Sequence, residues 1–224
     1  MLRMISFLAV SALSIGSQPA LAGGGGHAGD ILLQLDGDSR IVTGSETDNF
    51  APNRVFSGEF GDTGVFNFTT NPGFDAEDGA FPASTLLGFN ILDALRVWNG
   101  DGFDLAAETL TISFGSLQRT TSTGFVAGFG LLTSGQGGWH RHLGFTLNGV
   151  TENDAGIYLL QLDLWHESAA IQNSRPFWIV FNFNENEVEH EAAIEWARAN
   201  LVPAPGALAM LAAGAMTMGR RRRR

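Results

Sequence analysis

The chain has no cysteine, no lysine, a single tyrosine and no apolar run long enough to cross a bilayer. Each absence removes a class of explanation. Without cysteine there is no disulfide framework and no Cys-His nucleophile, so stability comes from an ordinary core or from bound ions, and the strong transition-metal ligands are histidine and carboxylate. Without lysine, positive charge rests on 13 arginines, of which Arg3 and Arg220 to Arg224 fall in the terminal segments. Between residues 23 and 201, seven arginines face 23 carboxylates, a net charge of −16. Such a surface repels nucleic acid and anionic lipid and attracts cations. Solubility in an ionic extracellular medium and a dedicated cation store both account for it.

The apolar stretches sit near the two termini. Arg3 supplies a positive region, Ile5 to Ile15 an apolar one, and Ala20-Leu21-Ala22 an A-x-A site before Gly23, the layout of a secretory signal peptide over residues 1–22. At the other end, Ala207 to Met218 is 12 residues long, against the ~20 a spanning helix needs. It follows Val202-Pro203-Ala204-Pro205-Gly206 and precedes Arg220-Arg221-Arg222-Arg223-Arg224. Arginines anchor to anionic headgroups and resist translocation, so a short apolar segment ahead of them pauses in a membrane. This three-part tail, residues 202–224, resembles the PEP-CTERM sorting signal of Gram-negative bacteria in its VPAPGA variant. The resemblance implies cutting by an exosortase-type membrane transpeptidase, transient membrane contact through the tail, and an address at the cell envelope, outer surface or extracellular matrix. Gly23 to Leu201, 179 residues, remain as one domain with a sizeable core.

Within that domain the apolar runs are short and separated by Gly, Asn and Asp, with no internal repeat. This predicts an all-β domain, a β-sandwich or jelly roll. Expected strands are Ile31 to Leu35, Val55 to Phe60, Val65 to Thr69, Ala94 to Trp98, Thr109 to Phe114, Gly124 to Leu132, Trp139 to Leu147, Gly156 to Trp165 and Phe177 to Phe183. From Glu185 to Leu201, good helix formers prevail, and His190, Ile194, Ala197 and Leu201 fall on one face. A short helix is predicted there, ended by Pro203. The 17 Phe residues read mainly as core; Trp98, Trp139 and Trp165, at expected strand ends, are open to either core or sugar stacking.

Five histidines occur: His27, His140, His142, His166 and His190. In Trp139-His140-Arg141-His142, two imidazoles lie two residues apart on an expected strand, which points both to one face. That makes a half-site for Zn²⁺ or a related metal; two exposed polar residues are the bland equivalent. If the Asn148 to Ala155 turn closes an antiparallel hairpin with Leu143 opposite Leu162, Asp163 joins His142, whereas a one-residue slip removes it. His166 is expected near the His140 end of that hairpin. His27, beside Asp30, is either a mobile ligand or decoration of a terminus. His190 precedes Glu191, but Ile194 stands where a zincin's second histidine belongs, so a packed helix position fits it better.

Other motifs are absent or incomplete. Asp36-Gly37-Asp38, Asp75-Ala76-Glu77-Asp78-Gly79 and Asn99-Gly100-Asp101-Gly102-Phe103-Asp104 lack EF-hand spacing and read as turns. A cupin's glutamate is missing around Thr146 and Leu147. There is no G-x-S-x-G elbow, and no carboxylate pair stands out for glycoside hydrolysis.

The segments Ile91 to Gly100, Trp139 to His142 and Pro176 to Asn182 resemble a PEP-CTERM family controlled by the zinc-uptake repressor Zur. That resemblance implies zinc capture or zinc sparing at the cell surface, with His140 and His142 as ligands beside His166, His27 or Asp163. The leading expectation is an exported, non-enzymatic protein that binds Zn²⁺ or a similar metal. A polysaccharide- or matrix-associated module is the alternative. A metal-dependent hydrolase is a third reading, since three protein ligands and one open water position suffice for it.

Overall fold

Every residue of the strand Phe177–Phe183 is buried, which means that both of its faces are covered. The computed structural model, which describes residues 29–45 and 50–203, shows what covers them. Residues 1–22 and His27 lie outside the described residues, as does the tail from Ala204 onward.

In chain order the strands are β1 (Ile31–Leu35), β2 (Ile41–Ser45), β3 (Ala51–Pro52), β4 (Val55–Glu59), β5 (Phe68–Thr69), β6 (Phe74–Asp75), β7 (Leu86–Ile91) and β8 (Arg96–Trp98). They continue as β9 (Phe103–Leu105), β10 (Thr109–Phe114), β11 (Leu117–Thr120), β12 (Val126–Leu132), β13 (Gly144–Asn148), β14 (Gly156–His166) and β15 (Phe177–Phe183), followed by one helix, α1 (Glu187–Leu201). The large sheet runs β12-β7-β14-β15-β4, with β8 attached to β14 and β9 to β8. Two four-stranded sheets, β3-β2-β1-β6 and β11-β10-β13-β5, lie against its inner face. The described residues thus form an all-β domain with a single short C-terminal helix.

Period-two alternation explains the layering. Along β15, Phe177, Ile179, Phe181 and Phe183 face the main core, where they meet Leu160, Leu162 and Leu164 of β14, Ile31 and Ile41 of the first small sheet, and Ile112 and Phe145 of the second. Trp178 and Val180 point the other way and pack with Ala193, Ile194 and Ala197 of α1. A central strand buried on both faces reads as a continuous apolar run, which is how this segment reads.

Local chemistry fixes the helix ends. The Asn186 side chain accepts from the Glu189 amide, and Glu187 and Glu189 occupy the first turn while Arg198 sits in the last, each matching the helix dipole. Val202 is extended, with φ −93° and ψ 108°, as a residue preceding proline prefers. Among the described residues, no helix is long and apolar enough to span a membrane.

The hairpin expected between the His-x-His segment and Gly156 to Trp165 does not form. β13 pairs with β10 and β5, whereas β14 pairs with β15 and β7. The intervening turn therefore crosses from one sheet to another, because both faces of β14 carry apolar residues that need covering.

Candidate metal centre

His140 and His142 precede β13 in an extended segment that pairs antiparallel with β6. Arg141 and Phe74 exchange backbone hydrogen bonds at 2.9 and 2.8 Å, and Trp139 and Ala76 do so at 2.9 and 3.0 Å. His140 is thereby opposite Asp75, and His142 opposite Gly73. On the other side, β1 runs parallel to β6 with Ile31 beside Phe74 and Leu32 beside Asp75, which places Asp30 level with Gly73. Alternation then sorts the side chains. Ile31, Phe74 and Trp139 are buried in the core, while Asp30, Asp75, His140 and His142 share the outer face.

The result is a group in which Asp30, His140 and His142 each offer one ligand atom, all within 4.8 Å of one another. Asp30 Oδ2 lies 3.6 Å from His140 Nδ1 and 3.8 Å from His142 Nε2. A tetrahedral ion with bonds of 2.0–2.1 Å spaces its ligand atoms roughly 3.3–3.4 Å apart, so contraction by a few tenths of an ångström assembles three ligands. The Asp30 side chain is 17% exposed, His142 40% and His140 61%. Asp30 is therefore the fixed member, and His140 has the freedom to close onto an ion.

The surroundings orient these ligands. His142 Nδ1 lies 3.2 Å from the Thr70 carbonyl oxygen; an Nδ1–H donated there leaves the Nε2 lone pair facing Asp30. His140 Nδ1 is 3.2 Å from Asp75 Oδ1, outside the three-ligand group but next to it. Gly73 keeps the space open. A Cβ at that position would sit 2.6 Å from Asp30 Oδ1 and 2.7 Å from His142 Cε1.

The remaining expected ligands have other surroundings. Asp163 pairs with Asn90 of β7, where its carboxylate accepts from Asn90 Nδ2 at 2.9 Å and Asn173 Nδ2 at 3.4 Å. Burial pushes its pKa up, against those hydrogen bonds. His166 lies opposite Leu87, hydrogen-bonded to Thr85 and Ser168 and stacked on Phe81. Burial lowers its pKa, while Glu167 opposes. Neither belongs to the His140 and His142 group. His190 is buried with Nε2 3.1 Å from the Val180 carbonyl oxygen, a packed helix position. His27 lies outside the described residues.

Two residues of the site escape the sequence reading. Asp30 appears there only as a neighbour of His27, and Asp75 only as the start of an acidic turn. Their shared signal is a carboxylate bordering or within a short apolar run, Asp30 before Ile31-Leu32-Leu33 and Asp75 after Phe74. Of the open tryptophans, Trp139 is core, and Trp165 lies against Gly88 and Gly130 with its indole N–H donated to Phe89 O. Trp98 clusters with Phe103 and Trp196, tilted on the first and edge-to-face with the second. No protein-family model and no curated protein sequence matches the chain.

Proposed function

We propose that this is an exported surface or extracellular protein that binds a divalent transition metal, zinc first, through Asp30, His140 and His142. The observation that carries the reading is the convergence of three ligand atoms on a face cleared by Gly73. Two imidazoles and a carboxylate suit zinc and its neighbours in the transition series. They leave one position for water or for a ligand. Export is supported by the Arg3 to Ala22 pattern, and sorting by an exosortase-type enzyme at a Gram-negative envelope by Val202 to Gly206 with Arg220 to Arg224.

Calorimetric titration with zinc tests the metal. One equivalent is expected to bind at micromolar concentration or tighter, and the His140→Ala/His142→Ala and Asp30→Ala variants are expected to lose that binding. No heat at micromolar zinc, or unchanged binding in both variants, would sink the reading. Mass spectrometry of the protein recovered from cell-surface and medium fractions tests export and sorting. The expected termini are Gly23 and a cut within Val202 to Gly206.

A second reading, an extracellular polysaccharide ligand, is favoured by one groove. A cavity of about 440 Å³ is lined by Phe103, Trp178 and Trp196 with Asp93, Arg96 and Gln161. Aromatic faces beside planar polar groups suit a sugar. Glycan-array binding abolished by Trp196→Ala, with zinc binding intact, would favour this reading over the first.

A further inference from the structure

Positive charge is scarce in this domain, yet three of its seven arginines gather at one place. Arg40, Arg54 and Arg175 line a cavity of about 270 Å³ whose walls include Ile41, Val42 and Pro52. Asp36 also reaches the wall, but its Oδ1 accepts from the Asp38 and Arg40 amides at 2.9 Å. Among the described residues none of the three arginines lies within 4 Å of a carboxylate; the one arginine that does is Arg96, with Asp93.

Their hydrogen bonds leave donors over. Arg54 gives its Nε to the Pro176 carbonyl at 2.7 Å and lies over the Trp178 ring at 5.2 Å. Those two contacts fix the guanidinium plane, and among the described residues both Nη groups are unused. Arg40 is held by the Asn173 carbonyl and by Gln172 Oε1. Arg175 is exposed and makes no side-chain hydrogen bond among the described residues. Burial, and the charge of Arg175 next, lower the Arg54 pKa. Two like charges at one cavity raise each other's energy, and among the described residues no carboxylate lies within 4 Å of either.

We propose that this pocket binds a small organic carboxylate. The Nη fork of Arg54 receives the carboxylate, a match of planar geometries that a lysine lacks. Arg175 closes over it from solvent, and Val42 and Pro52 take the apolar body. A volume just under the ~300–1,000 Å³ of drug-sized sites confines the ligand to a small one. A single negative charge suits entry better than two, given the acidic surface around it.

Titration of the full chain with benzoate tests this, with chelator present so that metal plays no part, by NMR of the Arg54 Nε–H and the Trp178 indole N–H. Saturable shifts are expected in the millimolar range, weakening as salt rises. Acetate should give them only at severalfold higher concentration, and benzamide, which has the ring without the charge, should give none. Arg175→Gln removes a side chain with no hydrogen bond and is expected to keep the melting temperature while weakening benzoate about fivefold. Arg54→Lys, which keeps the charge but loses the fork, should weaken it at least tenfold. An equal response to benzamide, tighter binding of sulfate than of benzoate, no saturable shift, or unchanged affinity in Arg175→Gln would each overturn the proposal.

Discussion

The imidazole of His142 occupies the space that a side chain on Gly73 would need: a Cβ there would come within 2.7 Å of Cε1 and 2.8 Å of Nδ1. The same Cβ would press on Asp30 Oδ1 at 2.6 Å. None of the three is a backbone atom, so Gly73→Ala is expected to fold while displacing two of the three ligands. Zinc affinity should fall at least tenfold, with a far-ultraviolet spectrum unchanged and a melting temperature within a few degrees of the parent. Parental affinity in a folded Gly73→Ala protein would show that the ion, if bound, does not use Asp30 and His142 as placed.

Asp75 makes a separate prediction because it touches a ligand without joining the ligand group. Its Oδ1 is 3.2 Å from His140 Nδ1, the same nitrogen that faces Asp30, so its negative charge lies beside the ion position. Asp75→Asn keeps the shape and removes the charge. Without that neighbouring charge zinc should bind about tenfold more weakly, well short of the loss on His140→Ala. Calorimetry on the two variants separates the cases: equal losses would make Asp75 a ligand, and no loss would make it a bystander.

Strands of all three sheets are legible in the sequence where burial on both faces or strict alternation marks them. β1, β10 and β15 occur at the expected residues, and the helix begins two residues late, at Glu187. β2, β3, β6, β7, β9 and β11 are not legible because Ile41–Ser45 and Leu86–Ile91 contain a glycine inside the run, and Ala51–Pro52, Phe74–Asp75, Phe103–Leu105 and Leu117–Thr120 are too short to show a period. The metal face depended on these omissions. β6 supplies Asp75 and stands between β1 and the His-x-His segment, so without it Asp30 had no visible route to His142. Asp163 was drawn to the histidines by sequence proximity of two strands that the fold sends to different sheets.

Where Asp163 does sit, it supports a bulge. It accepts from Asn90 Nδ2, and Asn90 Oδ1 in turn accepts from the Gly128 amide at 3.4 Å, at the point where β12 slips register against β7 between Ala127 and Gly130. A Cβ on Gly128 would lie 1.8 Å from the Phe89 carbonyl oxygen. Backbone is on the receiving side, so the clash cannot be relieved by rotating a side chain. Gly128→Ala is expected to cost about 1–3 kcal/mol, the range of overpacked positions, read as a lower urea midpoint with an unchanged slope. A loss below about 0.5 kcal/mol would mean that the bulge moves freely.

His166 carries the pH prediction. The Ser168 amide donates to Nδ1 at 2.9 Å, so Nδ1 is unprotonated and the hydrogen is on Nε2, 2.9 Å from Thr85 Oγ1, whose own hydrogen goes to Pro82 O at 2.7 Å. The neutral ring is satisfied at both nitrogens, and a proton added to Nδ1 would face the Ser168 N–H. Burial accordingly lowers the pKa below the ordinary histidine value of ~6.5. In the window between the folded and unfolded values the unfolded chain holds more protons, so stability rises with pH there. The contribution is complete above ~6.5 and is lost as pH falls through the folded value. His166→Gln keeps one donor and one acceptor but does not titrate. It should cost about 1 kcal/mol at pH 7.5 and flatten the decline in urea midpoint between pH 7.5 and 5, measured with chelator present to remove metal linkage. Parallel pH profiles for the two proteins would exclude His166 as a source of acid sensitivity.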